Sequence, residues 1–468
     1  MKPTPAAILI AILACALGLR LLGAYHGGLM YDEATHGAAA MTIDFRPSSF
    51  NLVWRSVDHP LLSVYVVRLS SLLFGQTLLG MRLLHVLFGV AGVAAIYWLG
   101  ARVFSVRTGL WAAALLALDQ FHITWSYFFV PEILLLVFST LVFVAFIGVT
   151  DDRSPRRFVF LGVSLGMAYL AKETSLILFP ILWITVFATP SLWSLLRDRR
   201  WYGAHLIALA VVTPDIAWNV IHWYEGYFYR DVGLVSSTAS LSPRVVLLFV
   251  GDVTYRVMDS LMGFRTNYGA QNPQMIHWPA GLLYLGATAW AVRFRTQVPA
   301  RLLLIAFGTV AIAFTLLPSQ RGHFLWWWAS VIVIPAVVFA GHLLDRFTAR
   351  VGRTGWVVAS AFLAYLLVHG WTTVRRPGVP VERVTAEQMV QGVLAQAREA
   401  ETEEALADLD GRLQHVLHVA GPDPDLYALL SQAALQKDQP QRARYYANRS
   451  LALDASNAVA RSVSEALR

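Results

Sequence analysis

Long apolar runs, separated by short connections rich in arginine, constrain the fold of this chain more than any other feature. About eleven of them approach the roughly 20 residues that a helix needs to cross a bilayer. They lie near 6–24, 81–100, 108–119, 131–149, 158–171, 175–190, 202–220, 278–292, 301–317, 324–342 and 355–372. Of the 468 residues, 57% are hydrophobic and 14% are charged, whereas a soluble domain carries roughly 25% charged residues. The sequence therefore predicts an all-α polytopic membrane protein.

The arginines indicate which side of the membrane each connection faces. They concentrate in alternate connections, whereas the short loops on the other side offer only Lys172 and Arg321. Because short cytoplasmic loops carry an excess of Lys and Arg, the arginine-rich side is predicted to be cytoplasmic. This topology also explains the net charge of +8 without a nucleic acid partner. Run 6–24 is predicted to be an uncleaved anchor in the cell membrane, with a cytoplasmic N-terminus and outward loops at 25–80 and 221–277.

Segments outside the apolar runs complete the predicted organisation. Leu52–Phe74 and Val245–Phe264 mix apolar and polar residues in a way that suits helices lying on the outer membrane surface. Residues 1–375 form the predicted membrane domain, 376–384 a linker and 385–468 a small helical domain. Segment 384–419 has the spacing of a helix, and small residues in 424–457 are similar to the two helices of one tetratricopeptide repeat. An odd number of spans places this domain outside the cytoplasm, where it could bind a protein partner.

Two adjacent carboxylates, Asp32 and Glu33, follow the first apolar run within the sequence YDEATHG. One carboxylate could remove a proton from an attacking hydroxyl or amine, and the other could orient the acceptor or bind a divalent cation. The alternative is an ordinary solvated pair in a loop. In the same outward loop, Asp58 and His59 precede Pro60, which favours an extended His59. His59 is either a hydrogen-bond donor to a sugar or phosphate or part of a simple turn.

Three further outward connections carry charged residues. Glu132 begins an apolar run, where it could serve a substrate or stabilise a helix N-terminus. Lys172 interrupts an apolar stretch against the positive-inside rule, so it is predicted either to bind an anion such as a phosphate or to pair with Glu173. Arg321 and His323 open the tenth run. The Arg321 guanidinium suits a phosphate, although snorkelling beside an aromatic belt would also explain it.

The ordered motifs YDEATHG, DHPLL, YFFVPEILLLVFS and AKETS resemble those of the GT-C glycosyltransferases. The likeness is to the protein O-mannosyltransferase and aminoarabinose-transferase branch, and within it to the prokaryotic dolichyl-phosphate-mannose–protein mannosyltransferase-like group. It covers about residues 1–370 and implies a GT-C bundle that uses a polyprenyl-phosphate-linked sugar donor. The resemblance implies that Asp32 acts as base or orients the acceptor, and that Lys172 and Arg321 hold the donor phosphate. The tyrosine-rich lipid-phosphate motif of the family is replaced here by RGHFLWWW.

The implied activity is transfer of a sugar to a protein, lipid or glycan on the extracytoplasmic face. Cations at the membrane face would stabilise the charge that develops on the departing polyprenyl phosphate. No cofactor is required. A divalent metal is allowed, with Asp32 and Glu132 as its candidate ligands. The alternatives are a lipid-linked glycan flippase or transporter and a non-catalytic scaffold in envelope glycan assembly. Transporters usually show paired halves with broken helices, and the sequence shows no such repeat.

Overall fold

The computed structural model describes residues 4–27, 33, 36–37, 39–40, 59–221, 278–316, 330–374, 424–436 and 439–467. Within these ranges every regular element is helical. The first helices are α1 (Pro5–His26), α2 (Leu62–Phe74), α3 (Leu78–Val103), α4 (Val106–Leu118), α5 (Gln120–Tyr127), α6 (Pro131–Asp151) and α7 (Pro155–Ala171). The 3₁₀ helix Glu173–Ile177 follows, then α8 (Leu178–Phe187), the 3₁₀ helix Pro190–Arg197 and α9 (Arg199–Ile221).

The later helices flank long segments that lie outside the described residues. They are α10 (Trp278–Ala291), the 3₁₀ turn Val292–Phe294, α11 (Val298–Leu316), α12 (Ser330–Val351), α13 (Arg353–Val374), α14 (Pro424–Gln436), α15 (Pro440–Leu453) and α16 (Ala458–Ala466). The predicted surface helix Val245–Phe264 and the segment 384–419 lie outside the described residues. Of the other predicted surface segment, Leu52–Phe74, the described part forms α2.

Local sequence explains where several helices begin. Proline opens α1, α6 and α7, because its fixed φ suits a first helical position and its missing N–H would have no partner there anyway. The Ser105 hydroxyl accepts a hydrogen bond from the Thr108 amide at 3.1 Å and so caps α4. These signals place the ends of the helices that carry the site described below.

Eleven predicted runs all overlap helices of the described chain, and the chain is a multi-pass membrane protein. Among the residues that the structure describes, six helices are long and apolar enough to cross a membrane, or up to seven if the bent pair at Glu173–Phe187 and Pro190–Arg197 counts as one span. Among the others, α4 has 13 residues and α10 has 14. The figure of eleven complete spans stays a prediction.

The chain divides into two compact units. The first comprises Met1–Gly28, Arg82–Pro214 and Leu234–Pro380, and the second comprises Leu29–Met81, Asp215–Gly233 and Val381–Arg468. In the first unit, α4 packs tightly against α12. A Cβ atom on Gly341 of α12 would come within 2.7 Å of the Ala112 nitrogen, so the absence of a side chain allows this approach. At the end of the same interface, Asp345 accepts hydrogen bonds from Ser105 and Thr108 at 2.9 and 3.1 Å.

The C-terminal helices of the second unit surround a core of small residues. Ala428, Ala434, Ala443, Ala447 and Ala460 are buried together with Val463. The helices predicted for 424–457 are therefore present as α14 and α15. Their assignment to a tetratricopeptide repeat stays a prediction, and the predicted linker 376–384 lies outside the described residues.

Candidate functional site

A buried ion pair joins Glu132, in the first turn of α6, to Lys172, the residue that follows α7. Lys172 Nζ donates a hydrogen bond to Glu132 Oε1 at 2.6 Å across 40 positions of sequence. Lys172 is 0% exposed and Glu132 is 5% exposed. A turn of three residues connects α6 to α7, which makes the two helices an antiparallel hairpin. The start of α6 and the end of α7 therefore meet at its open end, and both charges are brought there.

The backbone at Lys172 changes conformation abruptly. Lys172 is extended, with φ −162° and ψ 133°, while its amide still donates to the Ala168 carbonyl at 3.1 Å. The 3₁₀ helix Glu173–Ile177 begins at the next residue, and the Ser175 amide donates to the Lys172 carbonyl at 3.0 Å. Hydrogen bonds thus hold the main chain on both sides of Lys172, and they fix the position of its Cα atom.

The ion pair retains unused hydrogen-bonding capacity. An ammonium has three donors and a carboxylate has two acceptor oxygens, yet among the described residues a single bond joins the pair. Glu132 Oε2 is buried and has no hydrogen-bond partner in this part of the chain. Buried polar atoms in native proteins are usually satisfied. An unsatisfied oxygen beside an ammonium is therefore a place where a polar ligand group could bind.

The ion-pair partner of Lys172 is not Glu173, the adjacent residue that the sequence suggested as an alternative to an anion. Across the residues that the structure describes, the lysine pairs with Glu132 and not with adjacent Glu173. Glu132 also lies in the first turn of α6, where the helix dipole favours a negative charge. The dipole and the ammonium thus stabilise the same carboxylate.

The other predicted site residues lie either outside the described residues or in the second compact unit. Asp32, Asp58, Arg321 and His323 lie outside the described residues. Glu33 is 0% exposed, which does not fit a fully solvated loop residue, and His59 is half-buried. Both belong to the second unit, whereas Glu132 and Lys172 belong to the first.

The metal prediction falls partly on these undescribed residues. In the described ranges, no three or more His, Cys, Asp and Glu side chains form a group that could hold a metal ion. One candidate ligand, Glu132, is bonded to Lys172, and the other, Asp32, is outside those ranges. A divalent ion at this site therefore stays a prediction.

Sequence reasoning missed a second buried polar cluster, which lies where α4 ends and α5 begins. Arg20 of α1 is 0% exposed. It donates to the carbonyl oxygens of Leu116 and Ala117 at 3.3 and 3.1 Å, and to Ser126 Oγ at 3.1 Å. The last carbonyls of a helix have no partner within that helix. The guanidinium supplies these missing bonds inside a membrane domain where water is scarce.

Asp119 occupies the break between α4 and α5. Its Oδ1 accepts from the His122 amide at 3.0 Å, and its Oδ2 accepts from the Tyr284 hydroxyl of α10 at 2.9 Å. Nearby, His369 Nε2 of α13 lies 2.6 Å from Gln120 Oε1. The available signal was an aspartate directly before a new helix, which is a common N-cap residue.

Comparison with known proteins supports the family resemblance. Residues 58–218 match the family model described as dolichyl-phosphate-mannose-protein mannosyltransferase, a stretch that contains both Glu132 and Lys172. Lipid A galacturonosyltransferase RgtD from Rhizobium johnstonii is 30% identical over 97 residues, which are 21% of this chain and 20% of that protein. The matched stretch is therefore about a fifth of that curated relative.

Solved structures with a similar fold cover most of the chain. ArnT from Cupriavidus metallidurans in the apo state aligns with a TM-score of 0.55 at 17% identity, covering 94% of this chain and 74% of ArnT. The oligosaccharyltransferase AglB from Archaeoglobus fulgidus, in complex with an inhibitory peptide and a dolichol-phosphate, aligns with a TM-score of 0.51 at 12% identity. That alignment covers 88% of this chain and 59% of AglB.

These likenesses define the class of the protein. The chain is an all-α membrane protein with the GT-C fold seen in ArnT and AglB. The expected resemblance to the protein mannosyltransferase family is confirmed over residues 58–218, and the likeness to ArnT confirms the expected fold. Another structure of the Archaeoglobus fulgidus enzyme, with a TM-score of 0.52, is a complex with Zn and sulfate.

Proposed function

We propose that this protein is a membrane glycosyltransferase that moves a sugar from a polyprenyl-phosphate-linked donor to a protein, lipid or glycan acceptor on the extracytoplasmic face. The observation that carries the proposal is the buried Glu132–Lys172 pair at the open end of the α6–α7 hairpin, within the stretch that matches the mannosyltransferase family model. A lipid-linked donor is supported by the description of the matching family model, which includes dolichyl-phosphate-mannose, and by the AglB complex, which contains a dolichol-phosphate.

The Glu132–Lys172 pair is proposed to bind the donor. Glu132 pairs with the buried Lys172 ammonium at 2.6 Å, since a buried charge is costly unless it is paired. When the donor binds, phosphate oxygens can accept from the two Lys172 donors that have no partner among the described residues, and Glu132 Oε2, likewise unpartnered there, can accept from a sugar hydroxyl. Because Lys172 is fully buried, donor entry requires local opening.

In the proposed transfer step, a carboxylate acts on the acceptor and an ammonium acts on the leaving phosphate. The acceptor hydroxyl or amine attacks the anomeric carbon while its proton passes to Asp32, and Glu33 orients the acceptor. The bond from the anomeric carbon to the phosphate oxygen breaks, and the polyprenyl phosphate leaves with both bonding electrons. Lys172 stabilises the charge that develops on this leaving group. His59, Asp58, Glu173, Arg321 and His323 are proposed to contact donor or acceptor.

The proposal also assigns a role to each predicted domain of the chain. Residues 1–375 are assigned to the GT-C domain and 385–468 to a helical domain outside the cytoplasm, joined by the linker 376–384. The C-terminal helices are the proposed site for a protein partner. The proposed transfer step needs no cofactor, and a divalent ion with Asp32 or Glu132 as a ligand stays a prediction.

A reconstituted transfer assay tests the function. Purified protein in lipid nanodiscs is incubated with polyprenyl-phosphate mannose or polyprenyl-phosphate galacturonic acid, each radiolabelled in the sugar, and with a membrane extract that supplies acceptors. We expect label from one donor to appear in an acceptor fraction with wild type and not with the Asp32→Asn variant. A flippase would instead move intact donor across proteoliposomes, and a scaffold would do neither. Either result would contradict the proposal.

A further inference from the structure

The ring of Tyr127, at the end of α5, lies directly against the backbone of α1. A Cβ atom built on Gly27 would come within 2.8 Å of Tyr127 Cε2, and one built on Gly23 would overlap Tyr127 Cδ1. Carbon atoms in contact prefer separations of about 3.5–4.0 Å, so any larger residue at either position displaces the ring. Gly18 of the same helix has open space around it. The close approach is therefore specific to the last turn of α1.

Arg82 of α3 contacts both the ring and the end of α1. Its Cζ lies 5.7 Å from the centroid of the Tyr127 ring and 5.4 Å from that of Phe128. Its NH1 donates to the carbonyl oxygens of Ala24 and Gly27 at 3.0 and 2.8 Å. These carbonyls end α1, where partners are missing and a cation is favoured by the helix dipole. Arg82 is 0% exposed, so both interactions occur out of water.

The connection from α5 to α6 is short. Residues 128–130 separate Tyr127 from Pro131, which opens α6, and Glu132 is the next residue. Phe129, the residue after Phe128, also contacts α3. Its ring centroid lies 6.3 Å from that of His85, one turn after Arg82. Fixing Tyr127 and Phe128 therefore limits the positions available to the start of α6.

We propose that Arg82 and Tyr127 are positioning residues that set the location of Glu132 and, through it, of the Lys172 ammonium. The clamp is defined as Gly23, Gly27, Tyr127 and Arg82. Its role in donor binding rests on the proposed function, whereas its mechanical link to the ion pair does not. A misplacement of about 1 Å in a binding group can cost up to about 100-fold, so a methyl group inserted at Gly23 should weaken the site formed by α6 and α7.

The experiment compares Gly23→Ala with the matched control Gly18→Ala on the same helix. Binding of undecaprenyl phosphate to purified protein in nanodiscs is measured by native mass spectrometry, and melting is followed by far-ultraviolet circular dichroism. We expect Gly23→Ala to raise the dissociation constant about 10- to 100-fold and to lower the melting temperature, while Gly18→Ala leaves both at the wild-type value.

Repeating Gly23→Ala in a Lys172→Met, Glu132→Leu background shows whether the clamp acts through the ion pair. We expect the melting shift to shrink in that background, since the effects of mechanically coupled groups are not additive. Equal melting shifts in the two backgrounds, or matching constants for Gly23→Ala and Gly18→Ala, would overturn the clamp. If wild type binds no undecaprenyl phosphate, the proposed function fails, and the melting comparison still decides the mechanical link. Should Gly23→Ala not fold, Arg82→Lys keeps the charge, removes the planar fork and is measured in the same way.

Discussion

Removing one member of the Glu132–Lys172 pair should destabilise the protein far more than removing both. At the observed 2.6 Å, two unit charges attract by about 6 kcal/mol at an effective dielectric constant of about 20. Desolvation of each ion opposes this gain by several kcal/mol, so the pair contributes little net stability. In Lys172→Met, however, Glu132 remains buried without its partner. We expect that single change to lower the free energy of unfolding by about 3–5 kcal/mol.

The double variant Lys172→Met, Glu132→Leu tests the reasoning. Both charges are replaced by apolar side chains of similar volume, so its stability should lie within about 1 kcal/mol of wild type or above it. Sugar transfer should be absent in both variants, because the ammonium that stabilises the leaving phosphate is gone in each. The double variant is thus predicted to keep the stability of wild type while losing sugar transfer.

Reversible unfolding in mixed SDS and dodecyl maltoside micelles measures the stability, and the donor assay measures the transfer. Arg102 and Asp151 provide a matched control, since their 2.8 Å ion pair is exposed, with side-chain exposures of 30% and 55%. Arg102→Met should change the unfolding free energy by less than about 1 kcal/mol. Wild-type stability of Lys172→Met would refute the buried pair, and transfer by the double variant would refute the role of the ammonium.

Three other predictions concern different parts of the chain. Asp32→Asn should lower turnover by about 10²–10⁴, the loss expected for a positioned general base, and near wild-type turnover in the transfer assay would contradict that role. Reporter fusions at Arg199 should read cytoplasmic and fusions within 376–384 exported; a cytoplasmic signal at the second position would place the C-terminal helices inside. His85→Leu should raise the free energy of unfolding by about 1–3 kcal/mol, because the buried imidazole has no hydrogen-bond partner among the described residues and such groups are costly. Chemical unfolding measures the change, and a less stable variant would contradict the expectation by showing that the ring contact with Phe129 or a polar partner outweighs the cost of the buried imidazole.

The helices themselves were largely predictable. Runs of apolar residues marked their extents, and prolines at positions 131 and 155 marked where α6 and α7 begin. Both signals are local, since proline acts on the backbone beside it and an apolar run needs only its own side chains. Charged residues in the short connections were identified as candidates for the same local reason: a lysine such as Lys172 is expensive in an apolar stretch unless it has a role.

The partners of those charges were not predictable from sequence. Lys172 meets Glu132 across 40 positions because the α6–α7 hairpin has a particular length and register, and adjacent Glu173 offered a simpler partner. Arg20 meets the carbonyls of Leu116 and Ala117 across 96 and 97 positions. Because every residue has a main-chain carbonyl, the amino-acid sequence does not show which carbonyl will accept a hydrogen bond from a side chain. Such a carbonyl becomes available only where a helix ends, and that end has to be placed in three dimensions first.

Three fully buried cations in the described part of the first unit divide into two kinds. Arg20 and Arg82 each donate to carbonyl oxygens at a helix end, so displacing either by a ligand would leave main-chain acceptors unsatisfied. Lys172 bonds instead to a carboxylate, and that carboxylate keeps a second oxygen without a partner in this region. A ligand that brings both a phosphate and hydroxyl groups can satisfy the ammonium and the carboxylate together without exposing main-chain polar groups. The buried charge best suited to exchange its partner during a reaction cycle is therefore Lys172, and the two arginines are suited to holding the helices that surround it.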